Sequence, residues 1–202
     1  MEFSILNQIR HAVRTFNGEK INSSLVEKIL AEATLVPSAY NIQPWYFAII
    51  DSDEKRLALS TALNDNNIAQ HESAGSTLVV YSDSDLSTRV QELVNFGGGF
   101  LSGFKSEDLL KQLPQLFDAY SKEQLASYLS LNAGLVAQNI VLTANNRNIK
   151  TNILLGFDKE KVQTVLGLDK RYNPELVITL GYSEETGRSS YCLPVTQVSS
   201  II

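Results

Sequence analysis

The sequence predicts a single domain of mixed helix and strand, and three observations carry that reading. Four short apolar runs, Phe47 to Ile50, Thr77 to Tyr81, Asn152 to Leu155 and Leu176 to Leu180, are bounded by Gly, Pro, Asp or Asn and read as buried strands. Helical periodicity fills most of the chain between them. A length of 202 residues suits one generous core and leaves little for a second domain.

Each element follows from its residues. Leu6, Ile9, Val13 and Phe16 recur at helical spacing, so positions 3 to 16 predict a helix with Arg10 and Arg14 one turn apart beside its apolar face. Ser24 and Glu27 read as a capping box that opens a second helix, with Leu25, Ile29 and Leu30 facing inward and Pro37 ending it. The stretch "VPSAYNIQPWYF", Val36 to Phe47, is then a polar loop feeding a strand. "NFGGGFLSGF" followed by "LLKQLPQLFDAY" marks a helical insertion at about 83–127, either a lid or binding wall or two extra surface helices. Residues 130–147 carry small and apolar side chains nearly all round, which predicts a helix buried in a core or an interface. Asp158 is the N-cap of a helix through Val162, Val165 and Leu166.

Composition removes several function classes. Seventeen basic against 22 acidic side chains give a net charge of −5 and a pI near 5.1, so no general basic surface for nucleic acid or anionic lipid is expected. The N-terminus "MEFSILNQIR" lacks the apolar core of a signal peptide, and no apolar run is expected to reach the length of a bilayer span. The one cysteine, Cys192, excludes an internal disulfide framework and fits a cytoplasmic protein. Gly98, Gly103, Lys105 and Ser106 miss the P-loop because Phe104 intrudes, and Ser102 stands where a dinucleotide fingerprint needs its last glycine. His11 and His71 are the two histidines, neither near a nucleophile elbow, and no cluster has metal-ligand spacing. Glu184 and Glu185 read as a solvated turn. An enzyme with so few reactive side chains borrows its chemistry from a cofactor.

The ordered set "IRHAVRTF", "VPSAYNIQPWYF", "NNIAQHESAGSTLVV", "SLNAGLVAQNIVLTA", "NILLGFD" and "ELVITLGY" resembles the nitroreductase family of FMN-dependent oxidoreductases over nearly the whole chain. The resemblance implies an α+β fold, a mainly antiparallel sheet between helices, built as an intertwined homodimer with two FMN sites at the interface.

Residue roles follow from the same resemblance. Arg10 and Arg14 match the basic positions of the family's opening motif and are expected to hold the FMN phosphate and the pyrimidine side of the ring; alone they would read as an exposed pair on an amphipathic helix. His11 is expected at the phosphate or ribityl chain, and Ala12 stands where the family commonly has serine. Ser38, Tyr40 and Asn41 are implied to line the partner subunit's flavin, while Gln43 and Trp45 fix the loop. Neutral donors suit such a site because they satisfy ring oxygens without burying a charge. Asn67 and Gln70 match an Asn-x-x-Gln motif expected to read the pyrimidine edge, with Asn66 the neighbouring alternative and exposed loop amides the plain one. Leu155 and Gly156 are expected to place backbone groups near flavin N5, although some relatives have glutamate at the position of Leu155.

The tail departs from the family: "SSYCLP" lacks the usual basic pair before Leu-Pro, and Arg188 lies a few residues early. The implied mechanism is ping-pong hydride transfer from NADH or NADPH to a nitroaromatic or quinone, with no side chain required as acid or base. Phe96, Phe100, Phe104, Phe117 and Tyr120 are candidates for the apolar wall of that pocket or for core of the insertion. Two alternatives stay open: the same fold specialised for enone reduction, dehalogenation or flavin breakdown, and a flavin-binding or regulatory protein without catalysis.

Overall fold

The computed structural model describes residues 2–97 and 103–202. In chain order the elements are α1 (Phe3–Ile9), α2 (Ser23–Ala33), β1 (Trp45–Ile50), α3 (Asp53–Ser60), α4 (Asp65–Ser73), β2 (Ser76–Asp83), α5 (Leu86–Gly97), α6 (Ser106–Asp118), α7 (Lys122–Asn146), β3 (Lys150–Leu154), α8 (Lys159–Leu166) and β4 (Tyr172–Gly181), with 3-10 turns at Ala39–Asn41 and Val195–Gln197. The strands form one sheet in the order β1-β2-β4-β3, with every neighbouring pair antiparallel. This is an α+β fold.

Side-chain alternation on the central strands decides what each face of the sheet holds. Leu78, Val80, Ile178 and Leu180 point to one face, where Val26 and Ile29 of α2 and Val136, Ile140 and Val141 of α7 cover them. Val79, Tyr81 and Val177 point to the other, against Leu59 of α3 and Val162 of α8. β2 is buried along its whole length, and its middle, Leu78 to Tyr81, is a continuous apolar run rather than an alternating one.

Three helix boundaries differ from the sequence reading. Helix α1 stops at Ile9, and the chain continues extended, with Ala12 bridging Thr151 and the Val13 amide donating to the Thr151 carbonyl at 3.1 Å. Pairing with β3 therefore overrides the helical spacing of Val13 and Phe16, and Arg10 and Arg14 do not lie one helical turn apart. The cap of α2 is Asn22, whose side chain accepts from the Ser24 amide, and not the Ser24–Glu27 box. Helix α7 begins at Lys122, eight residues before the expected start, because Ser121 and Gln124 form a reciprocal capping box.

Helix α7 also corrects the expectation about bilayer-length segments. Its 25 residues include a window of mean hydropathy 1.3, long and apolar enough to cross a membrane by length and composition. Here it covers the sheet, burying Val136, Ala137, Ile140, Val141 and Ala144.

Helices α5 and α6 and the start of α7 enclose a separate cluster of Leu86, Val90, Leu109, Leu113, Phe117 and Leu129, into which Ile42 inserts. Phe117 is thus core, whereas Phe96 and Phe104 are exposed; Phe100 lies outside the described residues. The base of α5 is fixed by charge. Asp83, fully buried at the end of β2, accepts from the Arg171 guanidinium and from Arg89 Nε at 3.1 Å, and Glu92 pairs with both arginines at 3.1 Å.

Candidate active site

Two adjoining clefts open beside β3. The larger, about 590 Å³, is lined by Arg14, Asn66, Asn67, Gln70, Asn152, Ile153, Leu154, Leu155 and Gly156. Its volume is that of a small-molecule site. The second, about 460 Å³, is lined by Ala12, Arg14, Thr15, Arg188 and the segment 184–187 between them. Arg14 belongs to both, so the two clefts meet at its side chain.

The first cleft has an amide wall. Asn67 and Gln70 stand on α4, one turn apart, and not in a loop. Asn67 Nδ2 donates to the Gly156 carbonyl at 2.9 Å, and the Asn64 amide donates to the same oxygen at 3.0 Å. Gln70 Nε2 donates to the Asn66 carbonyl at 2.9 Å and, at 3.4 Å, to Asn67 Oδ1, while its Oε1 accepts from Asn152 Nδ2. Gln70 and Asn152 are both buried. A Cβ on Gly156 would stand 2.8 Å from Asn67 Nδ2 and 2.9 Å from Asn64 Nδ2, so the two side-chain amides pack directly on the bare Cα of this turn.

Helix α4 is held from beneath. His71 is buried, with Nε2 2.9 Å from the Arg56 carbonyl and Nδ1 2.7 Å from Thr77 Oγ1. The carbonyl can only accept, so Nε2 carries the proton and Nδ1 accepts from the threonine hydroxyl. Loss of hydration on burial is the largest effect and lowers the His71 pKa; the hydrogen bond to the Arg56 carbonyl opposes it, followed by the Arg56 charge, which lowers it, and Glu72, which raises it. Arg56 in turn donates to the His71 and Ala74 carbonyls, each at 2.9 Å, closing the C-terminal end of α4.

The second cleft holds charges of both signs, Arg14 and Arg188 with Glu184 and Glu185. Among the described residues neither Arg14 nor Arg188 forms an ion pair, and both line it. The segment after β4 runs back along residues 11–17: the Asn17 amide donates to the Tyr182 carbonyl at 2.9 Å and Ser183 Oγ donates to the Thr15 carbonyl at 2.7 Å. Gly187, at φ 81°, lies so near His11 that a Cβ would approach His11 Cβ to 2.6 Å. Arg188 is brought to Arg14 by this contact. Arg10, partly buried, caps the end of α1 and is not among the residues lining either cleft.

The Ser38–Gln43 loop lies elsewhere. It precedes β1, while Gly156 follows β3, and these strands are the opposite edges of the sheet, three strand spacings or about 14 Å apart. Tyr40, Asn41 and Gln43 all have positive φ, at 56°, 54° and 52°, a conformation uncommon for residues other than glycine. Buried Ile42 and Trp45 anchor the loop on either side, Ser38 Oγ accepts from the Gln43 amide at 2.9 Å, and the Tyr128 hydroxyl donates to the Ala39 carbonyl at 3.2 Å. Tyr40 remains half exposed, its ring edge-on to Phe117 at 6.5 Å.

Of the residues singled out in the sequence, Arg14, Asn67, Gln70, Leu155 and Gly156 meet in one cleft, and Arg188 joins Arg14 in the next. Asn152 and Asn64 were missed. The signal for Asn152 was available, since an amide within the apolar run "TNILL" must find a partner once buried.

The chain is similar to known proteins along nearly its whole length. A Streptococcus pyogenes protein named "Putative NAD(P)H nitroreductase" is 39% identical over 198 residues, covering 98% of each chain. A solved nitroreductase family protein from Streptococcus pneumoniae superposes with a TM-score of 0.93 at 39% identity, over 100% of both chains. A nitroreductase from Exiguobacterium sibiricum, solved in complex with FMN, shares the fold with a TM-score of 0.89 at 24% identity, over 100% of this chain and 98% of that one. Residues 8–182 match the Nitroreductase family, and the chain belongs to it.

Proposed function

We propose that this chain is an FMN-dependent oxidoreductase that takes hydride from NADH or NADPH and reduces a nitroaromatic or quinone-type acceptor, the two substrates using one site in turn. The observation that carries the reading is the continuity of the amide-lined and arginine-lined clefts through Arg14.

The donor set fits the cofactor. Uncharged amides of Asn67, Gln70 and Asn152 match the alternating oxygens and N–H of an isoalloxazine pyrimidine edge, and two unpaired arginines match a phosphate. Gly156, without a Cβ, leaves backbone accessible at the turn where Leu155 and Gly156 are assigned to the ring's redox centre. Bound FMN supplies the hydride chemistry, accepting two electrons from nicotinamide and passing them on. The protein's residues bind, orient and cover. Arg14 and Arg188 hold the phosphate with His11 beside them, Asn67 and Gln70 hold the ring edge, and the exposed Leu155 side chain offers an apolar wall. Arg10 is kept as a cofactor ligand only through its place in the family motif.

We further propose that residues 1–202 act as one domain within an intertwined homodimer, the helical segment at about 83–127 being an insertion. Ser38, Tyr40 and Asn41 then meet the partner's flavin, because in their own chain they sit at the far edge of the sheet. An apolar tail supports this: Tyr191, Leu193, Val195, Val198, Ile201 and Ile202 are all exposed.

The test is the visible absorption spectrum of the purified protein before and after anaerobic NADH or NADPH, with light scattering for mass. A yellow dimer that bleaches is expected. A yellow protein that does not bleach favours the non-catalytic flavin binder, and a colourless one that takes up no added FMN overturns the reading.

A further inference from the structure

The amides of the first cleft form a chain whose direction is fixed at one end. The Gly156 and Asn66 carbonyls can only accept hydrogen bonds. Asn67 must therefore turn its NH2 to Gly156, which leaves its Oδ1 facing Gln70. Gln70 must turn its NH2 to Asn66 and Asn67, which leaves its Oε1 facing β3. That oxygen meets one partner, Asn152 Nδ2, so Asn152 has to donate and its own Oδ1 is left as the acceptor at the other end of the chain. The orientation of all three amides thus follows from two backbone carbonyls and needs no separate assignment of amide oxygen and nitrogen.

We propose that Asn152 is a positioning residue that locks this relay, Asn152 to Gln70 to Asn67 to Gly156, and so sets the donor and acceptor pattern offered to the imide edge of a planar ring. The inference rests on the flavin reading for the identity of the ring but not for the relay itself. Without a donor at position 152, buried Gln70 Oε1 loses its partner, and Gln70 cannot reverse to find another without turning that oxygen on the Asn66 and Asn67 oxygens. The Gln70 side chain must then move out of line, and the disturbance passes through Asn67 to the Gly156 carbonyl. Amides at this density, buried and coupled, act as a unit rather than as separate contacts.

Asn152→Asp is the informative substitution, since it keeps the shape and removes the donor. Protonation of the new carboxyl restores an O–H that can donate to Gln70. Arg14 is the one charged side chain lining this cleft, and Glu184, Glu185 and Arg188 line the adjoining one; His71, on α4 beside Gln70, faces Thr77 and Arg56, and the unsubstituted protein controls for all of them. FMN affinity, read by quenching of flavin fluorescence, is expected to be roughly tenfold or more weaker in the variant at pH 8, with the gap narrowing toward pH 5. Equal affinities at pH 8, or a gap that does not change with pH, overturn the proposal.

The unsubstituted chain provides a second reading that does not depend on how the variant folds. Nuclear magnetic resonance of the protein without flavin is expected to show slowly exchanging side-chain NH2 protons for both Gln70 and Asn152, and rapid exchange at either overturns the relay. If the unsubstituted protein takes up no FMN while these protons are protected, the flavin reading fails and the relay stands.

Discussion

The Asn67 side chain donates to the Gly156 carbonyl at 2.9 Å, which ties helix α4 to the turn that ends β3 and closes the floor of the first cleft. Gly156→Ala tests how tight that closure is. The new methyl meets the flexible ends of Asn67 and Asn64 rather than backbone, so the fold survives and the amides move aside. A thermal midpoint within a few degrees of the parent is expected, together with FMN binding roughly tenfold weaker. Unchanged affinity on fluorescence titration would remove Asn67 from the ring edge.

Asp83 presents the opposite case, a charge whose loss is global. It is fully buried and shared by Arg89 and Arg171, and its hydrogen bonds to Arg171 are the main reason that the Arg171 pKa is raised. Removing one member of a buried network leaves the others desolvated and unpaired, at a cost of about 3 to 5 kcal/mol. Asp83→Ala should lower unfolding stability in urea by that amount. Amide exchange should rise first along α5, whose Arg89 and Glu92 lose their anchor.

What the sequence disclosed depended on how local each signal was. The four strands and the Asp158 cap were legible because an apolar run between turn residues and a helix cap each act over a few residues. The helix expected through Phe16 was not, because the pairing of Val13 with Thr151 joins positions far apart in sequence and spacing alone cannot show it. Asn67, Gln70 and Gly156 were found through an ordered motif set, but their hydrogen bonds to each other and to Asn152 exist only after α4 docks on β3. The Ser38–Asn41 stretch was read correctly as a loop, yet the positive φ angles at Tyr40, Asn41 and Gln43 had no glycine to announce them.

His71 makes stability depend on pH. Its pKa in the folded chain lies below the ordinary histidine value, chiefly because burial disfavours the cation. Between the folded and unfolded values the unfolded chain binds the extra proton, so this contribution is complete above about pH 6.5, falls as pH drops through that value, and levels off below the folded pKa. Over that window stability rises with pH, with a slope of at most about 1.4 kcal/mol per pH unit for one proton. Subtracting the urea stability curve of His71→Gln from that of the parent should isolate this slope. A difference that is flat from pH 8 to pH 5 would mean that His71 is not buried in its neutral form.

Tyr81 carries a hydroxyl that the fold does not use. The side chain is fully buried against Val177 and Leu154, its oxygen has no hydrogen-bond partner among the described residues, and burial raises its pKa. An unpaired buried hydroxyl costs about 1 to 3 kcal/mol, which Tyr81→Phe recovers without leaving a cavity. The variant should melt higher than the parent by calorimetry. A lower melting temperature would reveal a partner for the hydroxyl.

The anion end of the site depends on a glycine. Gly187 holds φ at 81° and packs where a Cβ would come within 2.6 Å of His11 Cβ and 2.9 Å of the Ala12 carbonyl oxygen. Gly187→Ala therefore combines backbone strain with a collision, and the 183–188 segment must lift from residues 11–15, carrying Arg188 away from Arg14. Because this segment is peripheral and mostly exposed, the rest of the fold is unaffected. One charge-assisted contact to phosphate is worth about 1.5 to 3 kcal/mol, so FMN should bind roughly tenfold to a hundredfold more weakly to Gly187→Ala and to Arg188→Gln alike. Riboflavin, which has the ring but no phosphate, should bind both variants as it binds the parent. Equal losses for FMN and riboflavin would place the segment against the ring, and no loss for either would take Arg188 off the phosphate.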